Sequence, residues 1–452
     1  PRFAAPRVRW AHRWRSTKGS QTAIADRAVP DGEKDPRGVP DGTPRFLSAL
    51  LRGNMGCSAP EPGETRGTMQ RSNPIRCLTR RRFGALAGCA AAAAILPLPA
   101  QAQRERELNI YCWEGYDSSN VLEPFRQRFN CQVRSERNTS DPDAVERLRA
   151  GETAIWDLVT LNNPWARKVL DPEGLLVPLE RERYEAYQAH MLPTFRAPYR
   201  WTTSEDGERL LGMVQRFGPF NFVVNTRHIS RELAEDQGLA LFRDPAMNGR
   251  YAVLTYDNWN ILHICIAAGI DPFRPHSEDE LARFRSVAQQ LLGNARFLTD
   301  DAWLINNALI NGEINSYFSG GTYTASPVRL DGLRHICGIT PNSGPMDGKG
   351  GVNWVEITSA VANPELSPRA FDFLDYVQQP ETAKTVALAE GTYNPVSQMG
   401  NPAVLKLFNA HELDALQWYS LETDMARCVD YDINPDYELM LGLYNDAKRQ
   451  VG

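Results

Sequence analysis

The chain has little that a metal centre would need. Its seven histidines are scattered over 452 residues and no Cys-x-x-Cys occurs, so the ligand spacings of a zinc site are missing. The Ala-rich run Gly84–Leu98 falls short of the ~20 apolar residues that a membrane-spanning helix requires. Basic charge is scarce as well. Beyond residue 102 there are 33 Lys and Arg against 48 Asp and Glu, a formal charge of −15. That balance argues against nucleic acid and anionic membrane as partners and suits a cationic ligand. The same part contains five cysteines, Cys112, Cys131, Cys265, Cys337 and Cys428. Their odd number and apolar neighbours indicate buried free thiols, and no disulfide pairing can be read from them. No internal repeat and no low-complexity tract is present after residue 102.

What precedes that part reads as processing. Residues 1–68 are rich in Arg, Pro, Gly and Asp and cannot bury enough apolar surface to fold, so they are expected to be untranslated or disordered. Met69 is a natural start, because an export signal follows it. Thr79-Arg80-Arg81-Arg82-Phe83 fits the twin-arginine pattern, Gly84–Leu98 is the apolar region, and Ala100-Gln101-Ala102 is a small-x-small cleavage site. Leu86-Ala87-Gly88-Cys89 also spells a lipoprotein box, but it comes early in the apolar run. The expectation is a twin-arginine signal over 69–102 and a periplasmic protein, with lipidation at Cys89 as the alternative.

The folded part is organised around Leu108–Tyr116. Leu108, Ile110 and Cys112 mark one face of a short strand that runs into a turn at Glu114-Gly115. The first strand of an open α/β sheet delivers its end to the rim where such sheets bind ligands. Helical and strand patterns then alternate: a helix over Asn120–Phe129, a strand at Cys131–Arg134, a helix capped by Asp141, and a buried strand at Trp156–Thr160. Met213–Asn225 is extended but long for one strand and interrupted by Gly218-Pro219, which suggests a crossing between two lobes. A second series follows, with a strand at Val253–Thr255, a capping box at Ser277 and Glu280, and a strand at Glu313–Phe318. Gly350–Thr358 reads as the return crossing. Helices follow from Ala370, the second ending at Gly391, and Ala415–Lys448 reads as helical. The fold class is therefore α/β.

These landmarks carry a resemblance. From Leu108 to the end the chain is similar to extracellular solute-binding proteins of the spermidine/putrescine type, the periplasmic receptors of ABC importers. The matching features are Ile110-Tyr111-x-Trp113-x-x-Tyr116, Trp156-Asp157-Leu158-Val159, Phe217-Gly218 to Val224-Asn225, and Leu254-Thr255-x-Asp257. They continue with Gly312-Glu313-Ile314-Asn315, Gly-Gly-x-x-Trp354-x-Glu356, Pro380-Glu381-x-Ala383-Lys384 and Tyr393-Asn394-Pro395.

The resemblance implies a type II periplasmic-binding-protein architecture. Lobe 1 would comprise 103–217 and 357–410, and lobe 2 would comprise 218–356 and 411–452, closing on a ligand about a hinge. It implies a monomer without cofactor or metal, a small cationic solute, above all putrescine or spermidine, and an ABC permease in the inner membrane as partner. Aromatic faces would hold the alkyl chain and ammonium groups, and carboxylates would accept their hydrogen bonds. Carried over by position, the ligand-binding residues are Trp113, Tyr116, Trp165, Phe217, Asp257, Phe318, Trp354 and Glu356, and Glu114 and Asn162 join them as candidates from their strand-end places. The sequence departs from the pattern where Glu114 stands one residue before the family's acid and where Asn260 replaces a further acid. It departs again where Phe318 replaces a Trp and Glu356 an Asp.

Two other classes compete. The same fold could take an amino acid derivative, opine, sugar or chelated metal, in which case Arg216 or amides would dominate the cleft. An enzyme using Cys112 as nucleophile would need a flanking base, and no His or Lys adjoins it.

Overall fold

The computed structural model describes residues 104–389 and 393–451. The expectations for 1–68, for the export signal at 69–102 and for a helix end at Gly391 lie outside the described residues. Alternating apolar residues build the first strand, β1 (Glu107–Cys112), which buries Leu108, Ile110 and Cys112 as their spacing requires. It is followed by β2 (Gln132–Arg137), β3 (Leu158–Asn162), β4 (Leu176–Val177), β5 (Met213–Asn225) and β6 (Tyr251–Leu254). Then come β7 (Leu298–Thr299), β8 (Ser316–Gly321), β9 (Ile336–Ile339), β10 (Gly351–Val361) and β11 (Cys428–Asp430).

The strands run in the order β2-β1-β3-β10-β5-β8-β6-β7, with β4 and β11 beside β10 and β9 beside β5. β1, β2 and β3 are parallel, and so are β6, β7 and β8, each group being the core of one half. β10 and β5 join the halves as an antiparallel pair. The result is a two-lobed α/β architecture with helices on the sheet faces. Chain beyond β10 returns to both halves. The Arg369–Tyr376 helix packs on β1, whereas the Tyr437–Val451 helix packs on those at Asp257–Ala267 and Glu278–Asn294.

β5 differs from its sequence reading. Met213–Asn225 is one continuous strand of 13 residues, and Gly218-Pro219 does not break it. Met213 to Pro219 pair with β10, and Phe220 to Val224 pair with β8. Proline has no N–H to give to a ladder, and it stands at the handover where the strand changes partner. The C-terminal region also differs. Ala415–Lys448 is broken into the helix Leu421–Ala426, the strand β11 and the helix that starts at Tyr437. Cys428 to Asp430 are drawn into parallel pairing with Gly351 to Asn353 at the start of β10. The strand expected at Glu313–Phe318 is shifted to Ser316–Gly321.

The handover is tight. A Cβ on Gly321 would lie 2.7 Å from the Pro219 carbonyl oxygen and 3.3 Å from Phe220 Cα, both backbone atoms. Gly321→Ala is therefore expected to destabilise the protein by about 1–3 kcal/mol, read from the urea midpoint. Gly293, near the end of a helix with nothing within 4 Å of its added Cβ, is the contrast. Gly293→Ala is expected to be neutral or slightly stabilising.

Candidate ligand-binding site

The parallel strands of both halves aim their C-terminal ends at the middle of the molecule, where β5 and β10 pass between them. A cleft of about 50 Å³ lies there. Its wall consists of Trp113 and Glu114 after β1, Asn162 at the end of β3, Tyr256 and Trp259 after β6, and Tyr323 after β8. Arg216 and Phe220 from β5, Trp354 and Glu356 from β10, and Asn394 complete it. Six of these side chains are aromatic. Phe220 is the centre of that group, with ring centroids 4.7 Å from Trp259, 5.1 Å from Tyr323 and 6.2 Å from Tyr256. Behind it His263 bonds the Phe220 carbonyl at 2.7 Å and the Ser319 hydroxyl at 2.8 Å. Burial pulls the His263 pKa down to about 4, so the imidazole is neutral.

The register explains which residues reach the cleft. Trp354 pairs with Gly218, and Val355 pairs with Phe217 on the opposite face. The register then slips before Ile357 meets Val214, so that Gln215 and Arg216 both oppose Glu356. Arg216 thereby joins Glu356 on the cleft side. Its Nε donates to Glu356 Oε2 at 3.0 Å and its Nη2 to Oε1 at 3.2 Å. Tyr116 Oη donates to the same carboxylate at 3.0 Å, and the guanidinium lies 4.5 Å over the Tyr116 ring. Arg216 and Glu356 are only 2% and 6% exposed. Burial opposes the charge of Arg216, but Glu356, Tyr116 and Glu114 outweigh it and hold its pKa above the ordinary value. Burial raises the Glu356 pKa, and Arg216 pulls it back.

Asp141 is the support that sequence reading misassigned. Ser140, not Asp141, caps the helix that starts there. The Asp141 carboxylate instead accepts from Trp113 Nε1 at 3.2 Å and from Asn162 Nδ2 at 2.7 Å. It thus fixes two wall residues at once. With its Nδ2 committed, Asn162 keeps its Oδ1 as a buried acceptor without a hydrogen-bond partner. Burial pushes the Asp141 pKa up to about 7 against the lowering effect of the Asn162 bonds.

Of the ten sequence-proposed ligand residues, Trp113, Glu114, Asn162, Trp354 and Glu356 line the cleft. The other five are engaged elsewhere. Tyr116 is buried beneath the wall and serves Glu356. Trp165 donates to the Tyr431 hydroxyl at 2.8 Å. Phe217 faces away from the cleft and packs on Phe195 at 4.8 Å. Asp257 accepts from Lys448 Nζ at 3.0 Å. Phe318 is sunk among Phe242 and His263. Phe220, Tyr256, Trp259, Tyr323 and Asn394 were missed, and Trp259 both packs on Phe220 and lines the wall. Strand-end position marked Tyr256, Trp259 and Tyr323, whereas Phe220 needed the register of β5. Cys112 is wholly buried and burial raises its pKa far above the ordinary thiol value, so it is no thiolate nucleophile.

Comparison of folds fits this geometry. A Listeria monocytogenes protein named as a spermidine/putrescine ABC transporter is similar with a TM-score of 0.59 over 76% of this chain and 98% of its own, at 15% identity. The spermidine/putrescine ABC transporter substrate-binding protein of Streptococcus pneumoniae gives 0.55 over 76% and 98%, at 16% identity. The fold is that of a type II periplasmic binding protein. A periplasmic binding protein of A. tumefaciens in complex with glucopine shares it as well, with a TM-score of 0.53 over 76% and 99% at 13% identity. No family model and no curated protein matches the chain. At these identities the likeness is one of fold, and binding proteins of this fold hold chemically different solutes.

The Asp141 pKa has a signed consequence. It is raised above that of the unfolded chain, so the stability it contributes is complete below the ordinary aspartate value of 3.8 and is lost as pH rises through about 7. Asp141→Asn removes that loss. Between those limits the stability of the variant relative to the unsubstituted protein should climb with pH, by up to about 1.4 kcal/mol per unit. Urea unfolding at a series of pH values measures it.

Proposed function

We propose that this chain is the solute-binding protein of an ABC importer and that it captures a small organic cation in the aromatic cleft. One observation carries the cationic ligand. Glu114 is a half-buried carboxylate in a wall of six aromatic rings, and among the described residues it makes no hydrogen bond or ion pair. Its charge raises the pKa of Tyr256 and Tyr323 across the cleft, although burial is the larger cause. A carboxylate so placed invites an ammonium group, which aromatic faces stabilise further by ~0.5–2 kcal/mol each. Among the described wall residues, Glu114 and Glu356 against Arg216 leave one net negative charge, the same sign of preference.

The sequence resemblance and the names of the neighbours point to polyamines, so these are tested beside amines that carry a single ammonium group. The reading brings with it hinge closure between lobe 1 (103–217 and 357–410) and lobe 2 (218–356 and 411–452). It also brings a monomer in the periplasm after twin-arginine export, and a permease in the inner membrane as partner. An opine or other acidic solute finds less support, because Arg216 is already forked onto Glu356.

Calorimetric titration with an organic amine panel and with neutral sugars and acidic solutes as controls tests this. An amine is expected to bind with one-to-one stoichiometry and to quench or shift Trp fluorescence. Glu114→Gln should weaken it roughly ten- to a hundredfold, the loss of one charge-assisted bond. Tight binding of a sugar or an acidic solute with no response to any amine would overturn the reading.

A further inference from the structure

Of the two carboxylates among the described wall residues, Glu356 is already engaged by the chain itself. Glu356 receives both arms of the Arg216 fork and the Tyr116 hydroxyl, and all three groups are buried. We infer that Arg216 is a built-in counter-ion standing in for a ligand's second ammonium group, so that the cleft selects compact solutes with a single ammonium group and excludes diamines. This rests on the reading of the cleft as a cation site and specifies its substrate class.

Three further features agree. The helix after β6 adds no acid to the wall, since Asp257 is turned to Lys448 and Asn260 is bonded to the Tyr444 hydroxyl at 2.8 Å. Glu114 is the one carboxylate of the described wall residues without a partner, so the wall offers a full counter-charge to one ammonium group. Free space is the third. At about 50 Å³ the cleft holds a few water-sized groups, each of which takes roughly 10–15 Å³. That space suits the ammonium group and short stem of a small amine. A second ammonium entering here would meet the Arg216 guanidinium with no unpaired carboxylate among the described wall residues to offset the repulsion.

The test uses butylamine and putrescine, which share a four-carbon chain and differ by one ammonium group, titrated into the purified protein by calorimetry. Butylamine is expected to bind at least about tenfold more tightly than putrescine. Arg216→Gln frees Glu356 and should reverse the order, with putrescine gaining about tenfold or more. Because that variant strands a buried carboxylate and risks unfolding, the double variant Arg216→Gln, Glu356→Gln serves beside it. There, with neither charge present, the two affinities should approach one another.

Putrescine binding the unsubstituted protein more tightly than butylamine would overturn the inference and leave the cation reading standing. So would a preference unchanged in the double variant. Failure of both amines, and of choline as a quaternary control, would bring down both.

Discussion

The structure depends on the pairing of two long strands that belong to both of its halves. β5 gives its first seven residues to β10 and the rest to β8 and β9, and β10 reaches β3, β4 and β11 besides β5. Everything at the cleft is referred to that pair. It sets which face Trp354 and Glu356 present, and its slip in register brings Arg216 opposite Glu356. It also fixes Phe220 as the residue that follows the change of partner. Cross-strand contacts such as the 2.9 Å bond between the Thr160 and Thr358 hydroxyls hold the first half to the same reference. A site assembled from both halves needs one feature common to both as its reference, and this pair is that feature.

The electrostatics follow from the same placement. A buried guanidinium and carboxylate gain little net stability from each other once desolvation is counted, but removal of one partner costs about 3–5 kcal/mol. The pair is thus better understood as a fixed pattern of charge than as a source of stability. Asp141 works differently. It has no ion-pair partner among the described residues, sits behind the wall, and holds Trp113 and Asn162 through bonds to an indole and an amide. One acid is locked by a cation, one is held near neutrality by burial, and Glu114 faces the cleft without a partner among the described residues. The three carboxylates have three different roles because their surroundings differ.

Much of the fold was legible in the sequence, because strand alternation, caps and crossing segments are local signals. Leu108, Ile110 and Cys112 announced β1, and Ser277 with Glu280 announced a helix that does carry a capping box. The cleft was only half legible. Trp113, Glu114 and Asn162 stand at strand ends, and Trp354 and Glu356 alternate on one strand, so local reasoning reached them. Phe217 was preferred over Phe220 because face assignment on β5 depends on a partner strand far away in sequence. Asp257 and Asp141 were misplaced for a related reason. Whether a carboxylate caps a helix, meets a lysine or supports a wall is decided by tertiary neighbours such as Lys448 and Asn162. Composition showed that the folded part is acidic, but it could not show that Glu356 is already matched by Arg216.

The course of the chain through the sheet has a consequence for biosynthesis. β3 emerges early, yet its free edge is closed only by β10, whose last residue is Val361. The first half of β5 waits for the same strand. Until that point is synthesised, the nascent protein carries two unprotected strand edges, which are ready templates for pairing with other chains. A chain cut before residue 350 would lack the strand that β3 and the first half of β5 both pair with. Quality control during synthesis, more than the finished stability of the protein, is where such an interleaved architecture is exposed.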